Sequence, residues 1–248
     1  MSARVVAQGL GVEFLFDRKR RLVSPTLARV RARRTGTSQW GLQGIDLRID
    51  PGEAVALVGR SGGGKTTLLR TIAGVYVPDA GTIEVEGRIG ALLSVGAGVM
   101  APLTGRENAE LLGVLAGMSV RESKRAIPNV EAASGLGRSF ERPVSSYSQG
   151  MRARLGFATA DEANPAILLL DEVHEALDHE YRALVQERAR QILAAGGIVV
   201  AAGHDHPLLE LLSNRALWLD KGRIVADGPF AEVRAAYLAQ PPEPVEAG

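Results

Sequence analysis

Gly59-Arg60-Ser61-Gly62-Gly63-Gly64-Lys65-Thr66-Thr67 is the stretch on which the reading of this chain turns. It follows a short apolar run, Ala54 to Val58, and precedes a helix-like run, Leu68 to Ala73. The spacing G-x-x-x-x-G-K-T is that of a phosphate-binding loop. Glycines let backbone N–H groups converge on a polyphosphate without a Cβ in the way. The helix that follows turns its positive N-terminal end toward the same anion. In that arrangement Lys65 reaches the β- and γ-phosphates of ATP and Thr66 ligates Mg²⁺. The plainer alternative, a glycine-rich turn with an incidental lysine, gives no reason for the motif to stand between strand and helix.

Length and composition bound what surrounds this loop. The chain has 248 residues, enough for one large domain or a domain with a subdomain, and its 46% hydrophobic content can fill a substantial core. With no cysteine, a disulfide framework and a thiolate metal site are both excluded. The net charge is only +1, but it is unevenly spread. Residues 17 to 39 hold eight basic side chains (Arg18, Lys19, Arg20, Arg21, Arg29, Arg31, Arg33, Arg34) against one acid, Asp17. The other residues therefore carry an excess of acid, and one patch supplies the positive field. That patch reads either as a solvated loop or as a surface for anionic head groups and lipid pyrophosphate. The N-terminus lacks a secretory apolar core. The longest uncharged stretch, Ile89 to Gly105, has seventeen residues, short of the roughly 20 that a spanning helix needs. The chain is therefore expected to be soluble by itself.

Along the chain, Ala3 to Phe16 reads as a strand, with Val12, Phe14 and Phe16 alternating onto one face. Gly41 to Ile49 is a second, ending at the turn Asp50-Pro51-Gly52-Glu53. Pro78 to Gly81 makes another turn, before short strands at Thr82 to Glu86 and Arg88 to Leu93. Thr104-Gly105-Arg106-Glu107 is a capping box opening a helix to about Ala116. A second helical run spans Val120 to Ala133, where Pro128 is expected to kink or end it. Ser148 caps a third, Gln149 to Glu162. Alternation then resumes with a strand at Ala166 to Leu170, a helix at Glu180 to Leu193 and a strand at Gly197 to Ala202. Strands at Ala216 to Leu219 and Arg223 to Ala226 and a helix at Phe230 to Leu238 complete the fold.

Beyond the phosphate loop, the apolar strand Ile167 to Leu170 delivers Asp171 and Glu172. Asp171 is placed to bind Mg²⁺ through water, and Glu172 to polarise an attacking water. Tyr147-Ser148-Gln149-Gly150-Met151 opens the third helix, and here the sequence resembles the ATP-binding cassette (ABC) family, whose signature is a serine–glycine loop at a helix N-terminus. The resemblance implies that Ser148, Gln149 and Gly150 contact the γ-phosphate held by an opposite subunit; locally Ser148 is also a helix cap. It further implies a switch histidine at His204, in Gly203-His204-Asp205, and a D-loop at Ala176-Leu177-Asp178, with Glu175 where a serine is common. His206 and His174 have no such match and read as surface residues. In the family an aromatic ending the first strand stacks on adenine. Phe16 fits that position best, with Phe14 and Trp40 as rivals, and all three could equally be core.

One departure narrows the group. The family carries a glutamine at the junction with its helical subdomain, yet there is none here between Gln43 and Gln149. The junction Leu92 to Gly98, the run Pro102 to Asn108, Tyr147 to Arg154 and Gln39-Trp40-Gly41-Leu42 together resemble the polysaccharide exporters, which move O-antigen, capsule, teichoic acid and related lipid-linked glycans. The implied fold is α/β: a P-loop NTPase ABC cassette with a mixed β core, an antiparallel N-terminal β-subdomain and an inserted helical subdomain. The expected organisation is one ABC ATPase domain over residues 1–239, with a helical subdomain at about 99–163, a basic insertion at 17–39 and a disordered tail at 240–248. The implied function is ATP hydrolysis by a homodimer of these subunits, with ATP and Mg²⁺ as cofactors. The dimer would sit peripherally on the cytoplasmic face of the membrane with two transmembrane permease subunits, and nucleic acid is no partner. Rival readings are a drug or lipid exporter, a soluble ABC protein of translation or DNA repair, and a nucleotide-binding regulator without turnover. A single cassette without heptads disfavours the second, and Glu172 with His204 the third.

Overall fold

The computed structural model describes residues 3–15, 38–93, 98–171, 178–203 and 206–240. The basic stretch lies outside the described residues except for Ser38 and Gln39, and so do Phe16, Glu172, His174 and His204.

Two sheets carry the strands. The first is antiparallel in the order β2-β1-β4, from β1 (Arg4–Leu15), β2 (Ser38–Ile49) and β4 (Ala80–Glu86). The second has six strands in the order β5-β6-β7-β3-β8-β9, from β3 (Ala54–Val58), β5 (Ile89–Leu92), β6 (Ile167–Asp171), β7 (Ile198–Ala202), β8 (Arg215–Asp220) and β9 (Arg223–Pro229). All its pairings are parallel except β8 with β9. The central strands β3, β6 and β7 are buried at every position, because helices and the first sheet cover both faces, and their sequences are accordingly apolar throughout.

Of the residues expected to alternate onto one face of β1, Val12 is buried in the apolar cluster that Phe14 packs against, and Phe16 lies outside the described residues. Leu10, Gly11, Val12 and Glu13 are buried in succession, since register shifts between Ala7 and Glu13 rotate the strand against β2. The turn at Asp50–Glu53 forms as read: Glu53 N–H donates to the Asp50 carbonyl (3.1 Å), and Gly52 takes φ +83°.

The helices are α1 (Lys65–Ile72), α2 (Gly105–Leu115), α3 (Val120–Ser134), α4 (Gln149–Glu162), α5 (His179–Ala194), α6 (His206–Leu212) and α7 (Phe230–Leu238). Capping boxes open both α2, at Thr104 and Glu107, and α3, at Ser119 and Glu122. Pro128 does not end α3. The helix continues to Ser134 because Ile127 and Val130 are buried, Ser119 caps its start, and Gly135 closes it in the left-handed conformation. Helix α6, seven residues long, is one that the sequence reading did not mark; it is held by the buried Leu209 and Leu212.

Two apolar clusters line the faces of the large sheet. A third, including Ile127, Val130, Phe140, Tyr147 and Leu155, is formed wholly by residues between Val99 and Ala163. Helices α2, α3 and α4 thus share a core of their own. Among the described residues no helix is long and apolar enough to cross a membrane.

Candidate nucleotide-binding site

Sheet order assembles the site. The phosphate loop leaves the C-terminal end of β3, β7 lies beside it, and β6 lies beyond β7. Register aligns Leu57 with Ala202 and Ala202 with Asp171, so the three strand ends are level. Asp171 therefore stands two strands from the loop, about 10 Å at normal strand spacing. It is 5% exposed. Gly203, at the end of β7, is buried, and His204 follows it outside the described residues.

The loop itself is held by backbone. Gly59, Gly62 and Gly64 have φ of +141°, +79° and +111°, which side chains other than hydrogen rarely accept. Gly63 donates to the Arg60 carbonyl (3.0 Å) and accepts from Gly222 N–H (3.0 Å), and Gly222 in turn accepts from Gln43 N–H (2.8 Å). The β8–β9 turn and β2 thus brace the loop from outside. A Cβ at Gly63 would stand 2.7 Å from the Leu219 carbonyl oxygen, and one at Gly64 3.0 Å from that of Gly41, so glycine is needed for close approach as well as for φ.

Helix α1 begins at this loop with Gly64 as its N-cap, no side-chain cap and no acid in its first turn. The contrast with its neighbours is informative: α2 and α3 have capping boxes, α5 has Asp178, and the similarly uncapped α7 carries Glu232 in its first turn. A helix start left without a carboxylate or hydroxyl acceptor fits an external anion. Lys65 is 5% exposed, and its ammonium donates to the carbonyls of Gly59 (2.7 Å) and Arg60 (3.1 Å). Ser61 and Gly62 are exposed at the loop tip, while Thr66 and Thr67 are half-buried on the first turn of α1. The hydroxyl of Thr66 and the carboxylate of Asp171 make an all-oxygen donor set, the kind Mg²⁺ prefers.

Aromatic side chains border α1. Phe14 packs over Gly41, whose missing Cβ would otherwise meet Phe14 Cδ2 at 3.0 Å and Thr67 Cγ2 at 3.2 Å. Its ring meets Tyr76 edge-on, with centroids 5.4 Å apart. Trp40 packs instead over Gly11, on the far side of the same hairpin pair. Of the aromatic rivals, Phe14 is the one beside Thr67. Tyr76 was not singled out in the sequence, where nothing but its aromatic character marks it.

The signature residues sit on the helical unit. Ser148 is the N-cap of α4, accepting from Met151 N–H at 3.2 Å; Ser148 and Gln149 are exposed and Gly150 is half-buried. Asp178 is engaged within its own chain. Its Oδ1 accepts from Tyr181 N–H (2.9 Å), capping α5, and its Oδ2 pairs with the Arg154 guanidinium. Arg154 also lies over the Tyr181 ring, 5.3 Å from its centroid, and its carbonyl accepts from the Tyr181 hydroxyl (3.1 Å). Burial pushes that phenol's pKa well up, so it stays a donor. Arg154, which the sequence reading left without a role, thus joins α4 to α5. Its position six residues beyond Ser148 and three before the buried Phe157, whose ring meets that of Tyr181 edge-on, is the signal it offered.

Comparisons with known proteins bear on the family and the fold. A family model described as ABC transporter matches residues 42–175. The O-antigen export system ATP-binding protein RfbB of Myxococcus xanthus is 36% identical over 196 residues, 79% of this chain but 45% of that protein. The chain thus spans less than half of that relative's length. The O-antigen export system ATP-binding protein RfbE of Yersinia enterocolitica is 39% identical over 183 residues, 74% of this chain and 77% of that protein. Among solved structures, the ATP-binding cassette MJ0796, a dimer in a post-hydrolysis state bound to ADP and Pi, superposes with a TM-score of 0.72. That match covers 91% of this chain and 98% of that one at 20% identity, a likeness of fold. A family model matched over more than half the sequence, and a relative matched over most of its own length, establish that the chain belongs to the ABC transporter family.

Proposed function

We propose that this chain is the ATP-hydrolysing subunit of an exporter that carries a lipid-linked polysaccharide, such as O-antigen or teichoic acid, across the cytoplasmic membrane. The observation that carries the ATPase reading is the convergence, at the C-terminal ends of the central strands β3 and β6, of an uncapped, acid-free helix start, a buried lysine and a buried aspartate. Residues 59 to 67 cradle the triphosphate, Lys65 moves from loop carbonyls onto the phosphates, and the base rests at the end of β1, where Phe14 borders Thr67 and Phe16 follows. Thr66 and Asp171 hold Mg²⁺, which when bound neutralises charge on the phosphates. Glu172 polarises the attacking water and His204 contacts the γ-phosphate. Ser148, Gln149 and Gly150, exposed at the start of α4, serve the nucleotide of a second copy in a homodimer, and Asp178 lies at the same interface.

Membrane coupling is supported by a groove of about 570 Å³ between the helical unit and the core, lined by Val75, Leu93, Val99, Leu112, Leu115 and Gly156. Val75 and Leu115 are 61% and 65% exposed, an apolar rim suited to a segment of each of two permease subunits. The glycan assignment follows the O-antigen export relatives, which are 36% and 39% identical to this chain over the matched residues. Two measurements test the reading. Phosphate release should be lost in Lys65→Ala, while Glu172→Gln should bind ATP, turn over barely and elute as a dimer with Mg-ATP. A strain lacking the chain should accumulate glycan inside and lose it from the surface. Full turnover by Glu172→Gln refutes the catalytic assignment, and undiminished surface glycan refutes the cargo.

A further inference from the structure

Ser148 is held from a distance. Asn108, in the first turn and a half of α2, is wholly buried. An amide in a helix interior is a poor helix former, so its burial calls for another reason. Its Oδ1 accepts from Met100 N–H (2.8 Å), and its Nδ2 donates toward the carbonyls of Met100 (3.0 Å), Leu103 (3.1 Å) and Thr104 (2.9 Å). The loop at residues 100–104 is thereby wound around one side chain. Onto that loop is laid the segment leading to the signature. Ser145 N–H donates to the Ala101 carbonyl (2.9 Å), Val144 N–H to that of Leu103 (2.9 Å), and Gly105 N–H to that of Arg142 (3.2 Å). Tyr147, 4% exposed, donates its hydroxyl to the Ser139 carbonyl (2.6 Å). It packs on Gly105, where a Cβ would overlap its hydroxyl and stand 2.8 Å from the Phe140 carbonyl oxygen. The next residue is Ser148.

We infer that Asn108 and Tyr147 are positioning residues for Ser148: the Asn108 amide sets the 100–104 loop, the loop sets residues 142–147, and these aim the signature hydroxyl. The inference rests on the role given to Ser148 above. Only an amide of this size serves. An aspartate keeps the acceptor for Met100 N–H but turns a second acceptor toward three carbonyl oxygens.

The test compares full-length Asn108→Asp, Tyr147→Phe and Ser148→Arg with the wild type. ADP affinity reads the phosphate loop of one chain alone and should stay within about twofold in all three, whereas kcat should fall about tenfold or more in Asn108→Asp with KM little changed. Tyr147→Phe, which removes one oxygen and opens no cavity, should lose kcat in the same direction by a smaller factor. In a Glu172→Gln background, Asn108→Asp should weaken the ATP-dependent dimer on size-exclusion chromatography. A lowered Tm with unchanged kcat and dimer would make Asn108 a loop anchor only and overturn the inference. A parallel fall in ADP affinity would overturn it too, by showing a general disturbance. If Asn108→Asp does not fold, unchanged kcat in Tyr147→Phe suffices against it. Wild-type activity in Ser148→Arg removes the underlying reading itself.

Discussion

Gly59→Ala and Gly62→Ala separate the two reasons for building a phosphate loop from glycine. Both positions have positive φ, +141° and +79°. Among the described residues a Cβ at Gly62 meets nothing within 4 Å, whereas one at Gly59 overlaps the Leu219 carbonyl oxygen, closer still than the 2.7 Å of a Gly63 Cβ. Leu219 belongs to β8, which is paired with β3 on one side and β9 on the other, so that carbonyl cannot withdraw without disturbing the sheet. Backbone strain alone costs about 1–3 kcal/mol at either site. Overpacking against a fixed neighbour adds about 2 kcal/mol at Gly59 only. In a chain of this size each kcal/mol moves Tm by roughly 2–4 °C, so Gly59→Ala should melt about 4–8 °C below Gly62→Ala. Differential scanning fluorimetry with and without ADP reads both effects, since the displaced loop of Gly59→Ala should also show a smaller ADP-induced rise. Equal melting temperatures for the two variants would refute the steric argument and leave conformational strain as the sole cause.

Arg215 ties three segments together: it pairs with Asp227 through two bonds of 2.7 Å, with Glu53 at 3.1 Å, and donates to the Arg48 carbonyl at 2.9 Å. Being partly exposed, the network is worth about 2 kcal/mol, between surface and buried pairs, so Arg215→Met should lower Tm by roughly 4–8 °C. Phosphate release per folded molecule should not change. Glu107 and Glu122 accept hydrogen bonds from the residues they cap, which holds both carboxyls below the ordinary glutamate range. Their stabilisation is therefore present above the unfolded pKa and lost as pH falls through the depressed folded values, so Tm should drop in acid below about pH 4.5. The Glu107→Gln/Glu122→Gln double variant should show a flatter Tm–pH profile there; an identical profile would contradict the assignment. Finally, mixing Ser148→Arg chains with Lys65→Ala chains should restore phosphate release that neither has alone, because only the heterodimer contains an intact site. No recovery on mixing, with dimers formed, would argue against shared sites.

Chemistry dictated by neighbouring residues was legible from the sequence. The phosphate loop needs its glycines and Lys65 within nine positions. The capping box at Thr104 needs a hydroxyl and a carboxylate three apart, a spacing that recurs unmarked at Ser119 and Glu122, and buried strands such as Ile167 to Leu170 announce themselves by being wholly apolar. Bonds between distant positions were not. That Asp171 stands level with Leu57 depends on β7 entering the sheet between β6 and β3, which no local pattern specifies. The buried run Leu10 to Glu13 depends on register shifts against β2, and the survival of α3 past Pro128 on burial of Ile127 and Val130. Asn108, Arg154 and Tyr76 look like ordinary polar or aromatic residues until the tertiary structure supplies their partners. Local spacing determines which groups exist and which conformations they favour, whereas only packing brings groups from remote segments within hydrogen-bonding reach of one another.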